Sequence, residues 1–171
     1  MLALIVGGSG SGKSAFAEQR VLSCGDYRRV YIATMEIFDE ESRKRVKRHR
    51  QMRAAKNFET IECPTHLENV SVNSDNVVLL ECMSNLVANE MFSPSGRPKN
   101  VVDIICRGIE MLNNSCRSLI VVTNDVFADG ITYDESTDNY LRKLGEINCR
   151  IAAMADEVYE VWAGIPTMIK G

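Results

Sequence analysis

The consecutive residues Gly7-Gly8-Ser9-Gly10-Ser11-Gly12-Lys13-Ser14 satisfy the spacing G-x-x-x-x-G-K-[ST] at every fixed position. Glycines carry no Cβ to hold a phosphate away from the main chain, so successive N–H groups can curl around one. A helix that opens straight afterwards adds partial positive charge at its N-terminus. Lys13 can then reach β- and γ-phosphates, and the Ser14 hydroxyl can ligate Mg²⁺. A serine/glycine linker would share this composition, but its flanks would differ. Here Leu2-Ala3-Leu4-Ile5-Val6 leads in as a buried parallel strand, and Ala15-Phe16-Ala17-Glu18-Gln19-Arg20 follows as a helix opening. Gly7, Gly8, Ser9, Gly10, Ser11, Gly12, Lys13 and Ser14 are therefore assigned to a nucleotide-phosphate site.

Such a loop works with a carboxylate at the end of another strand, which holds Mg²⁺ through water or positions a nucleophile. Glu81 closes the apolar run Val77-Val78-Leu79-Leu80 and is the first candidate for catalysis and for the metal. The plainer alternative for a strand-end acid is a solvated loop residue. Glu62 ends the short run from Phe58 and is a second candidate. Asp125, beyond Ser118 to Asn124, is a third, where ligands gather past strand C-termini.

A second chemistry is suggested by a basic stretch. Arg43, Lys44, Arg45, Lys47, Arg48, Arg50 and Arg53 surround His49. On a helix, Arg45, His49 and Arg53 share one face, and Asp39, Glu40 and Glu41 sit at the end the helix dipole favours for acids. Neighbouring cations attract phosphate and disfavour a further positive charge, so the imidazole stays neutral and nucleophilic near pH 7. A neutral ring nitrogen can attack the α-phosphorus of a nucleoside triphosphate and carry the nucleotide covalently. The alternative is a solvated basic face with a bystander histidine. The stretch lacks the wide apolar face of a membrane-surface helix.

The elements that must position these groups follow from the hydrophobic pattern. The predicted order is strand Leu2–Val6, a helix to about Cys24, strand Arg29–Thr34, a charged helix from Asp39 to about Arg53, and strand Phe58–Glu62. A short helix over Pro64–Val70, strand Val77–Glu81, a helix over Cys82–Phe92 and a loop over Ser93–Pro98 come next. Helix Val101–Cys116, strand Ser118–Asn124, an irregular stretch over Val126–Asp134 and a long helix over Thr137–Ala155 complete the middle. Strand Glu157–Trp162, a turn at Gly164-Ile165-Pro166 and an antiparallel strand Thr167–Lys170 end the chain. Leu141, Leu144, Ile147 and Ile151 mark the inner face of the long helix. Continuously apolar strands alternating with helices predict an α/β fold: a mainly parallel sheet with helices on both faces.

Size and charge narrow the function class. The 171 residues suit a single domain, and a net charge of −3 gives no basic surface for nucleic acid. No apolar run approaches the roughly 20 residues needed to span a bilayer. The first strand runs straight into the loop and leaves no room for a signal peptide, so the expected location is the cytoplasm. The six cysteines form no C-x-x-C pair and read as reduced, mostly buried thiols. Cys63-Pro64-Thr65-His66 has metal-ligand spacing without a second ligand pair; Thr65 as a helix cap with His66 in the first turn is the simpler account.

Together these residues carry a resemblance. The chain resembles the bifunctional adenosylcobinamide kinase / adenosylcobinamide-phosphate guanylyltransferase family over nearly its whole length. The resemblance lies in Val6 to Ser14, Tyr31-Ile32-Ala33-Thr34, the segment from Arg45 through His49 and Arg53 to Glu62-Cys63, and Leu79-Leu80-Glu81-Cys82 with Asn89. It continues in Val121-Val122-Thr123-Asn124 and in Asn148 with Ala155-Asp156-Glu157-Val158. It implies a RecA-like P-loop NTPase fold, a homotrimer, and a site shared between subunits. It implies that His49 is the covalent guanylate carrier, and that Ala33, Thr34, Met35, Arg50, Gln51, Met52, Arg53, Glu62 and Glu81 line the guanine nucleotide site. The implied chemistry is phosphorylation of the small-molecule corrinoid adenosylcobinamide by ATP or GTP with Mg²⁺. Transfer of GMP from GTP through His49 then gives adenosylcobinamide-GDP.

The sequence departs from the family pattern after Asn124, where Asp125 to Thr132 keeps one glycine and no proline, and at Glu135, Asp138 and Phe58. Other functions open to a phosphate-loop chain are a small-molecule kinase with one of the two activities and a nucleotide-dependent switch or assembly ATPase.

Overall fold

The computed structural model describes residues 1–36, 40, 56–127 and 130–171. Apart from Glu40, the expected charged helix, with His49, Arg50, Gln51, Met52 and Arg53, lies outside the described residues.

Among the described residues seven strands form one sheet: β1 (Leu2–Gly7), β2 (Arg28–Ala33), β3 (Phe58–Glu62), β4 (Asn76–Glu81), β5 (Ser118–Asn124), β6 (Glu157–Trp162) and β7 (Ile165–Lys170). Their spatial order is β3-β2-β4-β5-β1-β6-β7. The first six pair in parallel, and β7 runs antiparallel to β6 along the edge. Helices are α1 (Lys13–Ser23), α2 (Met83–Phe92), α3 (Val101–Ser115) and α4 (Glu135–Met154).

Alternating residues of the strands feed two cores. Ala3, Ile5, Tyr31, Leu79, Ile120 and Val122 pack against Ala17 and Val21 of α1. Leu4, Ile32, Leu80 and Val121 pack with Leu86 of α2, Ile105 and Ile109 of α3, and Leu144, Ile147 and Ile151 of α4 on the other face. Because both faces are covered, β1, β4 and β5 can be apolar at nearly every position. All six parallel strands end at one edge of the sheet, where open α/β folds bind ligands.

Three expectations change. The helix expected over Pro64–Val70 is a single 3-10 turn, Leu67–Asn69, preceded by His66 in the left-handed region at φ 60°. Its backbone is captured elsewhere: the His66 N–H donates to Glu90 Oε1 at 2.6 Å, and Asn89 Nδ2 donates to the Pro64 carbonyl at 2.9 Å. Thr65 accordingly caps nothing, and its hydroxyl reaches Ser95 Oγ at 3.4 Å.

The last turn is Ala163-Gly164, with φ of 50° and 80°, which is a two-residue hairpin. Ile165 and Pro166 therefore belong to β7, and the proline is tolerated because that strand is an edge. The long helix begins at Glu135, two residues early, because Asp134 caps it by accepting the N–H groups of Ser136 and Thr137 at 2.9 and 3.0 Å. Those bonds to the Thr137 backbone and hydroxyl, and to Ser136, hold the exposed Asp134 carboxyl below its usual range. Leu141 is half-buried, leaving Leu144, Ile147 and Ile151 as the packed face.

Candidate active site

The glycine loop spans the gap between β1 and α1. Gly12 takes φ 92°, a region glycine enters without steric cost, and turns the chain into the helix that Lys13 begins. The loop closes on itself through Ser11 N–H to the Gly8 carbonyl at 3.2 Å. The structure also shows why Gly7 is glycine: a Cβ there would lie 2.7 Å from the Val161 carbonyl of β6. Lys13 is buried, and its ammonium donates to the Gly8 carbonyl at 3.0 Å, so the cation is held over the loop.

Glu81 faces this loop from two strands away, at the end of β4. Ser14 Oγ donates to its Oε1, and the Tyr31 hydroxyl of β2 donates to its Oε2 at 3.1 Å. Both carboxylate oxygens are thus engaged, one from the loop helix and one from the neighbouring strand. Lys13, Ser14 and Glu81, three of the residues singled out in the sequence, converge. A hydroxyl and a carboxylate in contact are hard oxygen donors of the kind Mg²⁺ accepts, directly or through water.

The other predicted residues fall into a row along the same edge. Ala33 is in register with Glu62 on one side and Glu81 on the other. Thr34 binds the end of β4 twice: its hydroxyl donates to the Cys82 carbonyl and accepts the Cys82 N–H, both at 2.8 Å. Met35 follows and is half-buried. Glu62 is exposed at the end of β3, roughly 10 Å from Glu81 at two strand spacings, and does not join the Ser14 cluster. Asp125 is exposed beside the loop, its N–H donating to the Gly7 carbonyl at 3.1 Å. Where the chain re-enters the described structure, Lys56 pairs with the buried Glu18 of α1, and Arg29 donates to the Lys56 carbonyl at 3.1 Å.

Several supporting residues were not singled out as site residues. Asn89 is buried and donates from one amide to the carbonyls of Thr34, at 2.7 Å, and Pro64, at 2.9 Å, tying the exits of β2 and β3 to α2. Ser84 accepts from Asn124 at 2.6 Å, and its hydroxyl lies 3.0 Å from Cys82 Sγ. Burial pushes the Cys82 thiol up, which keeps it neutral next to Glu81. Tyr140 donates to the Ser84 carbonyl at 3.2 Å, and burial pushes its phenol up to about 12. Only an alignment of polar positions to strand ends could have found these, since each partner lies on another element. Cys63 and His66 each engage a carbonyl: the thiol donates to Thr65 at 3.3 Å, and the ring Nε2 lies 2.8 Å from Ser95 O. Among the described residues no three metal-ligating side chains cluster.

Comparison with known proteins bears on the fold and on the family. By structure, the chain is similar to the flagellar accessory protein FlaH of Methanocaldococcus jannaschii, with TM-score 0.54 and 12% identity over 99% of this chain and 77% of that one. It is also similar to the RadB recombinase, with TM-score 0.50 and 15% identity over 93% and 73% of the two chains. At such identities the likeness is one of fold, and the fold is that of RecA-like phosphate-loop proteins.

By sequence, the chain is 34% identical to the bifunctional adenosylcobalamin biosynthesis protein CobU of Salmonella typhimurium, over 99% of this chain and all of that protein. The CobU protein of Escherichia coli matches at the same identity and coverage. The CobP protein of Pseudomonas aeruginosa is 27% identical over 98% of this chain and 96% of its own length. The profile described as cobinamide kinase / cobinamide phosphate guanyltransferase matches residues 3–169, and the chain belongs to that enzyme family.

Proposed function

We propose that this protein phosphorylates adenosylcobinamide and then guanylylates the product. In the first step the hydroxyl oxygen of the aminopropanol arm attacks the γ-phosphorus of ATP or GTP. The bond to the β-phosphate bridging oxygen breaks, the nucleoside diphosphate leaves, and the hydroxyl proton is released to solvent. Loop N–H groups and Lys13 balance the charge spread over the transferred phosphoryl, and Glu81 orients the attacking hydroxyl. Ser14 and Glu81 would hold Mg²⁺, which supplies further charge stabilisation when bound. The single observation that carries this step is the convergence of Ser14 and Glu81 beside Lys13.

In the second step a ring nitrogen of His49 attacks the α-phosphorus of GTP, forming a P–N bond and releasing pyrophosphate. A phosphate oxygen of the phosphorylated corrinoid then attacks the same phosphorus, the P–N bond breaks, and adenosylcobinamide-GDP results. Family membership and the arginines flanking His49 in the sequence support this role. Ala33, Thr34, Met35, Arg50, Gln51, Met52, Arg53 and Glu62 are assigned to the guanine nucleotide. The protein is read as a cytoplasmic homotrimer; among the described residues no helix is long and apolar enough to cross a membrane.

Incubation with α-labelled GTP tests the second step. The expected result is a protein-bound label that is acid-labile, alkali-stable and absent in His49→Ala, because a phosphoramidate behaves that way. Undiminished labelling of His49→Ala removes His49 as the carrier.

A further inference from the structure

The hairpin joining β6 to β7 is bonded to the phosphate loop. The Gly164 N–H donates to the Ser11 carbonyl at 2.7 Å, and a Cβ on Gly12 would lie 3.0 Å from Gly164 Cα. Loop and hairpin tip therefore meet backbone to backbone with no side chain between them. On either side of the tip, in register with each other, stand Trp162 and Ile165, 76% and 67% exposed. Trp162 is the single tryptophan of the chain. Met168 and Ile169 further along β7 are exposed as well, but Trp162 and Ile165 alone flank the tip that touches the phosphate loop, and the indole presents there a flat face on which an aromatic base can stack.

The direction of a nucleotide along the loop says what that is. Ser14 meets Glu81 on β4, which lies to one side of β1 beyond β5. A polyphosphate whose terminal phosphate sits at that contact sends its nucleoside away from β4. On that opposite side the first neighbour of β1 is β6, whose last residue is Trp162.

We infer that Trp162, with Ile165 beside it, is the platform on which the base of the loop-bound nucleotide stacks. The inference rests on the phosphate-loop reading above and adds a base site to it. From Trp162 to Pro166 the indole N–H is the sole side-chain donor or acceptor, so the platform holds the base by its π-face rather than by its edge.

The lone indole makes the test direct. Emission of the full-length protein with Mg²⁺ is followed during addition of ADP or of inorganic tripolyphosphate, with calorimetry in parallel. ADP is used because GTP has a second proposed site at His49. Stacking predicts that ADP quenches the indole while tripolyphosphate binds without changing it. Trp162→Ala should weaken ADP by about tenfold or more, the range of base–aromatic stacking, leave tripolyphosphate unchanged, and be largely rescued by Trp162→Phe.

The inference is overturned if both ligands change the emission equally, or if ADP binds with emission silent. It is equally overturned if Trp162→Ala alters oligomeric mass while the affinity ratio of ADP to tripolyphosphate stays fixed, which makes the hairpin a subunit contact. Binding of tripolyphosphate that is lost in Lys13→Ala keeps the phosphate-loop reading alive in those cases. Failure of both ligands to bind removes that reading and the base platform with it.

Discussion

Two corners meet at the ligand edge of the sheet, and different bonds hold them. Where β1 turns into α1, three bonds run backbone to backbone, Ser11 to Gly8 at 3.2 Å, Asp125 to Gly7 at 3.1 Å and Gly164 to Ser11 at 2.7 Å, and the Lys13 ammonium adds one to the Gly8 carbonyl at 3.0 Å. Where β2 and β4 end, backbone bonds from Thr34 to Glu81 at 3.2 Å and from Cys63 to Ala33 at 2.8 Å are outnumbered by bonds through side chains: Tyr31 and Ser14 to Glu81, Thr34 to Cys82, and Asn89 to Thr34 and Pro64. The first corner is a mould in which a Cβ at Gly7 or Gly12 would meet neighbouring backbone, 2.7 Å from the Val161 carbonyl or 3.0 Å from Gly164 Cα. The second is an assembly of separate parts, each removable by a substitution that leaves the backbone in place. In the proposed reaction the phosphate goes to the corner built mainly of backbone, and the reacting hydroxyl to the corner built mainly of side chains.

The largest effects should come from charged groups at the meeting point. Lys13→Ala should lower the kinase rate by about 10³-fold, because a preorganised cation facing the transferred phosphoryl is lost. Glu81→Gln keeps the shape of the side chain but not its charge, and its NH₂ can no longer accept one of the two hydroxyls that Ser14 and Tyr31 donate, so kcat should fall by about 10²-fold. The two should differ in binding: Lys13→Ala weakens tripolyphosphate, and Glu81→Gln does not. Calorimetry with tripolyphosphate alongside single-turnover kinetics checks this. Equal weakening by both would mean that the corners act as one.

A middle-sized effect is expected at Asn89. Asn89→Leu fills similar space but leaves the Thr34 and Pro64 carbonyls without their amide donor. An unsatisfied buried acceptor costs about 1–3 kcal/mol, and the part-buried Pro64 carbonyl less because water reaches it, so stability should fall by roughly 2–4 kcal/mol. At this chain length that corresponds to a fall in Tm of roughly 5–15 °C, read by calorimetry. A variant as stable as the parent would show that the side-chain corner is not held from α2.

How much of this was legible follows from the same contrast. The loop corner is contiguous, so the spacing from Gly7 to Ser14 and the apolar run before it disclosed both the chemistry and the strand-loop-helix setting. Glu81 showed as an acid after four apolar residues. Tyr31, by contrast, was read as strand interior, because its hydroxyl finds a partner 50 residues away. That meeting depends on β2 lying beside β4, which hydrophobic periodicity does not reveal. The helix expected over Pro64–Val70 failed for a related reason. Local propensity favoured it, but Glu90, 1% exposed, takes the N–H groups of His66 and Arg97 at 2.6 and 3.0 Å and holds the segment open. The hairpin tip was misplaced by two residues because Pro166 reads as a turn former until β7 is known to be an edge strand.

The smallest change sharpens the comparison most. Tyr31→Phe removes one oxygen from a buried ring and keeps its edge contact with Phe58, whose centroid lies 6.4 Å away. What is lost is the hydroxyl donated to Glu81 Oε2, while Ser14 still donates to Oε1. The carboxylate keeps its charge and one tether and loses its second. A hydrogen bond to a charged group contributes about 1.5–3 kcal/mol, part of which water restores at a half-buried carboxylate, so kcat should fall by about five- to tenfold. KM for the nucleotide should stay unchanged, because Tyr31 supports the carboxylate and the backbone loop holds the phosphates. A rise in KM with kcat intact would reverse the division of labour: Tyr31 would serve nucleotide binding, and the side-chain corner would belong to the mould.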